Sequence, residues 1–105
     1  MPTLKKNPTL KDIQKYVARL EKERGFLKDD LKDKCLLLGE ELGELFKAIR
    51  KGTTIKMDHN SKYGSVDEEL ADIICILCTI ANRQKIDLEK AFRDKEKINK
   101  KRIWR

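Results

Sequence analysis

Apolar residues recur along this chain at spacings of three and four, the period of helices that pack by one face. No segment alternates apolar and polar residues over the length of a strand. Thr9, with Asp12 three residues on, is placed to cap a first helix running to about Arg24, and Gly25 stops it. A second helix starts within residues 28–31 and runs to Lys51, with Gly52 just past its end. Residues 53–64 (TTIKMDHNSKYG) follow neither period and read as a loop. Ser65 and Glu68 have the spacing of a capping box opening a third helix to about Gln84, and Asp87 caps a fourth that extends to about Ile103. The expected fold is all-α, a four-helix bundle with the second and third helices central. Residues 1–8 form a flexible basic leader and residues 9–105 one domain.

The two central helices carry acids where acids are costly. At 100° per residue, Cys35, Leu38, Leu42, Leu45 and Ile49 form the expected core stripe of the second helix, with Glu41 and Glu44 on its flank. Glu40 rotates further out, near Lys47. On the third helix, Glu69 and Asp72 share a sector with Ile73, Ile76 and Ile80. An unpaired carboxylate in such a sector is expensive to desolvate. Residues three apart on a helix share a face, so each helix presents a pair of carboxylates beside the core. A divalent cation would offset their mutual repulsion. Against this stands the ordinary alternative, in which Glu40 and Glu44 pair with Lys47 and Lys51 on a wet surface.

Composition narrows the classes. With 105 residues the core is modest, and 41% charged residues imply helices with long solvated faces. The net charge of +7 favours anionic partners. Basic residues are spread along the chain, with runs at Lys5-Lys6 and over residues 95–105, a pattern too diffuse for a nucleic-acid groove. No apolar run reaches the ~20 residues needed to span a bilayer, so a soluble protein is expected. Cys35, Cys75 and Cys78 are an odd number and no secretory signal precedes them, which points to a reducing cytoplasm. Cys75 and Cys78 have redox-like spacing but fall mid-helix, where buried small hydrophobes are expected. His59, Tyr63 and Trp104 are candidates for nucleotide contact, with solvated or packing roles as the alternatives.

The motifs GEELGEL and EELADIICIL, in the pattern E-E-x-x-E, a spacer and E-x-x-D, resemble those of the MazG-like nucleotide pyrophosphohydrolases, within the all-α NTP pyrophosphatase superfamily. ANRQKIDLEKAF looks like that family's helix-turn-helix junction, and KEKINKKRIW like its basic tail, with Lys95 or Lys97, Asn99 and Arg102 in matching places. Upstream, ERGF resembles a segment in which an aromatic residue, here Phe26, follows E-R-x. The resemblance implies Mg²⁺-dependent hydrolysis of a (d)NTP to the monophosphate and pyrophosphate, with Mn²⁺ as a substitute metal. It implies Glu41, Glu44, Glu69 and Asp72 as metal ligands, Glu40 and Glu41 in catalysis, and Phe26, Lys95, Lys97, Asn99 and Arg102 in substrate binding. Two other functions stay open on the sequence. One is phosphoribosyl-ATP pyrophosphohydrolysis, whose enzymes share a similar acidic pattern. The other is a non-enzymatic basic helical module binding RNA or a partner protein. The nearly all-round apolar third helix and the run Leu36–Leu38 call for more cover than one chain supplies, so a homodimer or homotetramer is expected.

Overall fold

The computed structural model describes residues 2–25, 30–51 and 65–102. Four helices follow one another: α1 (Leu10–Arg24), α2 (Leu31–Arg50), α3 (Val66–Arg83) and α4 (Leu88–Lys100), with no strand among the described residues. The caps explain most of the boundaries. Thr9 Oγ1 accepts from the Asp12 backbone N–H at 3.1 Å while Asp12 Oδ2 accepts from the Thr9 N–H at 2.9 Å. Gly25 closes α1 in the left-handed region at φ 74, which costs a residue without Cβ nothing. The Asp30 and Asp87 carboxylates accept from the Asp33 and Lys90 N–H groups and open α2 and α4.

At Ser65 the expectation fails. Its backbone is extended, as an N-cap requires, but its side chain caps nothing. The hydroxyl is taken by the Asp67 carboxylate instead, so no capping box with Glu68 forms. α4 ends at Lys100, sooner than expected. Gly52, the segment 53–64 and Ile103 lie outside the described residues.

α2 and α3 make the most extensive packing, α1 lies on α3, and α4 meets α1. The face of α2 turned inward differs from the predicted one. Lys34 and Ala48 are buried and Leu38, Glu41 and Leu45 half-buried, whereas Cys35, Leu42 and Ile49 are exposed. The reason is that α2 has two apolar faces. One, through Leu38 and Leu45, packs inward, and the other, through Leu42, Phe46 and Ile49, is open, so a single predicted stripe falls between them. α3 repeats the arrangement: Ile73, Ile76 and Ile80 are half-buried while Leu70, Ile74 and Leu77 are exposed. Cys78 is fully buried as expected, but Cys75, three residues earlier, is exposed. No helix among the described residues is long and apolar enough to cross a membrane.

One buried amide ties three helices together. Gln14 Nε2 donates to Asn82 Oδ1 at 2.9 Å and to the Ile86 carbonyl at 2.7 Å. Gln14 Oε1 accepts from the Leu88 N–H at 2.9 Å, and Asn82 Nδ2 donates to the Gln14 carbonyl at 3.2 Å. This clamp fixes the α3–α4 turn, in which Lys85 adopts φ 56. Gln14→Leu keeps the volume but strands the Leu88 N–H and the Ile86 carbonyl. It is expected to cost at least about 1 kcal/mol, read as a lower midpoint in urea with an unchanged slope.

Candidate metal centre

Glu41 of α2 meets Glu69 and Asp72 of α3, and one carboxylate oxygen from each lies within 4.8 Å of the other two. The sequence makes this meeting possible in two steps. Glu41 falls on the half of α2 that packs inward, between Leu38 and Leu45. Glu69 and Asp72 are three apart on α3 and so share a side of it. Glu69 is only 6% exposed and Asp72 is open to solvent, so the cluster has a dry floor and a wet mouth.

Three carboxylates this close cannot all be ionised without help. The Glu41 carboxyl is pushed up from 4.5 to about 7, first by a hydrogen bond shared with Glu69. Desolvation follows, and then the charges of Glu69, Asp72 and Glu40. A proton held between two carboxylates marks a position where a cation would be favoured. The donors are hard oxygens only, from two helices, without histidine or thiolate in the group. That set fits a hard divalent cation such as Mg²⁺ or Mn²⁺ and does not favour zinc or copper.

The other residues singled out from sequence are placed differently. Glu44 is not in the cluster: its Oε1 lies 3.6 Å from Lys47 Nζ, the ordinary surface pairing. Glu40 is exposed and acts on Glu41 through its charge. Lys95, Lys97 and Asn99 lie on α4 and Arg102 just beyond it. That helix buries none of its residues and packs on α1, so one chain does not gather these four with the acids. Phe26, His59, Tyr63 and Trp104 lie outside the described residues.

Residues 31–105 match the model of the MazG nucleotide pyrophosphohydrolase domain. Two crystal structures of iMazG from Vibrio DAT 722 are similar to this chain. The first, of Ctag-iMazG, is 30% identical with a TM-score of 0.66 and covers 89% of this chain and 99% of its own. The second, of Ntag-iMazG, is 30% identical with a TM-score of 0.67, covering 93% and 100%. A search of the curated proteins returned no match.

Proposed function

Because the chain belongs to the MazG nucleotide pyrophosphohydrolase family, and is therefore an enzyme acting on a nucleotide's phosphoanhydride, we propose that it hydrolyses a (d)NTP between the α and β phosphates, giving the monophosphate and pyrophosphate. The observation that carries the reading is the Glu41, Glu69 and Asp72 cluster, built across α2 and α3. These three residues would hold Mg²⁺, with Mn²⁺ as a substitute, and that ion supplies charge neutralisation of the phosphates and acidification of a water. Glu44 would join as a fourth ligand by exchanging Lys47. That exchange is cheap, since an exposed ion pair contributes at most about 1 kcal/mol.

Glu41 and Glu40 are adjacent, one facing the cluster and one solvent, which suits them to orient and deprotonate the attacking water. Positioning and electrostatics then carry most of the barrier lowering, as phosphoryl transfer requires. The test is a panel of nucleoside triphosphates with Mg²⁺, scored for pyrophosphate. Pyrophosphate with the matching monophosphate, abolished by a chelator, is expected; release of orthophosphate, or no product with any nucleotide, contradicts the reading.

The tail residues Lys95, Lys97, Asn99 and Arg102 would bind the phosphates from a neighbouring protomer. What supports this is the position of α4, with Phe92 68% and Ile98 52% exposed, together with the open apolar faces of α2 and α3. Light scattering is expected to give a dimer or tetramer. Arg102→Ala is expected to lower turnover while leaving metal binding intact. Mixed with Glu41→Gln protein under conditions that exchange subunits, it should recover activity that neither variant has alone. A monomer at micromolar concentration, or mixing without recovery, rejects a tail acting across protomers.

A further inference from the structure

Gln14, Val17, Glu21 and Arg24 lie on one face of α1, and the first three are buried. This face is turned to α3: Gln14 bonds Asn82 near the C-terminal end of that helix, and Glu21 Oε2 lies 3.3 Å from an Arg83 guanidinium nitrogen. From Gln14, α1 runs on toward the N-terminal half of α3. Both helices rise by about 1.5 Å per residue. Because α1 packs along α3 and Gln14 sits at the C-terminal end of that helix, Arg24, ten residues further on, is carried toward the part of α3 that contains Cys75 and Asp72.

Electrostatics agree with that register. Although Cys75 is exposed, partial desolvation of its sulfur and the Asp72 charge push the thiol up, and the Arg24 guanidinium pulls it down. Arg24 and Asp72 thus act on one thiol from two helices. On α3, Asp72 sits between the side carrying Glu69 and Ile73 and the side carrying Thr79 and Asn82, which is the side α1 covers. Arg24 itself is exposed, and none of the ion pairs among the described residues engages it.

The geometry points to Arg24 as a phosphate-binding residue of this site, its guanidinium gripping phosphate oxygens of the nucleotide on the α1 side of Asp72. The inference rests on the pyrophosphohydrolase reading given above. A polyphosphate lying against three carboxylates brings more negative charge than one divalent cation balances. A guanidinium stays charged at any working pH and offers two parallel N–H donors to a phosphate. α4 cannot supply that charge within one chain, whereas α1 can.

Arg24→Ala and Arg24→Lys test this by steady-state kinetics and by calorimetry with pyrophosphate and Mn²⁺. In Arg24→Ala the KM for the triphosphate is expected to rise about tenfold, the scale of one charge-assisted contact. Pyrophosphate affinity should fall by a similar factor, while affinity for Mn²⁺ alone holds or increases. Arg24→Lys should restore part of the loss. An unchanged KM with unchanged pyrophosphate affinity overturns the inference, as does a fall in Mn²⁺ affinity that accounts for the whole effect. If the wild-type protein hydrolyses no nucleotide, that failure falls on the proposed function, and the pyrophosphate titration alone decides Arg24.

Discussion

Glu41→Gln is expected to lower turnover by at least about 30-fold, or ~2 kcal/mol of transition-state stabilisation, with helix content unchanged. The amide keeps the shape of the side chain and removes the charge on which a cation at Glu69 and Asp72 depends. Stability should hold or improve, because the substitution removes a carboxyl that the hydrogen bond with Glu69, desolvation and the neighbouring acids together push up to about 7. Asp72→Asn should act in the same direction. Glu44→Gln is the informative contrast: in this structure Glu44 pairs with Lys47 and not with the cluster. An effect as large as that of Glu41→Gln would show that Glu44 leaves Lys47 to bind metal. Near-normal rates in both Glu41→Gln and Asp72→Asn would remove the cluster from the mechanism.

The second large effect is on pH. In the metal-free protein the Glu41 carboxyl titrates near 7, against 4.5 when unperturbed. Between those values the folded chain binds more protons at this group than the unfolded chain does. Its contribution to stability is therefore greatest at low pH and declines as pH rises through the folded value. Metal competes with that proton. Affinity for Mg²⁺ or Mn²⁺ is expected to fall about tenfold for each unit below pH 7 and to level off above it. Paired melts with and without Mn²⁺ give both signs. The metal-free midpoint should drop between pH 5 and 8 relative to Glu41→Gln, and added Mn²⁺ should reverse the drop only at the upper end. A Mn²⁺ stabilisation equal at pH 5 and pH 8 would contradict the assignment of this carboxyl.

Helix positions were legible because their signals are local. Thr9 with Asp12, Gly25 and Asp87 act within a few residues, and these three boundaries follow directly from residue type, whereas the sequence places the start of α2, at the Asp30 cap, only within residues 28–31. Ser65 shows the limit, since a neighbouring Asp67 captured the hydroxyl that the spacing assigned to a cap. Three of the four acids expected to meet do so, because i, i+3 spacing fixes their side of α3 and Glu41 follows the inward half of α2. The exact face of α2 was not legible: a helix with two apolar faces has a mean direction that matches neither. Arg24 was passed over within ERGF, as a lone exposed arginine near a helix end reads as a favourable charge at the dipole. Only the register of α1 on α3 gives it a place. For the same reason the tail could be recognised as basic while its distance from the acids could not.

Titration of the metal-free protein with Mn²⁺, followed by electron paramagnetic resonance at pH 8, tests most directly that Glu41, Glu69 and Asp72 form a divalent-cation site. Saturable binding by the wild-type protein is expected, with at least tenfold weaker binding in Glu41→Gln and no specific binding when Asp72→Asn is added to that variant. Binding of equal strength in the wild-type and doubly substituted proteins would contradict a cation site at these residues.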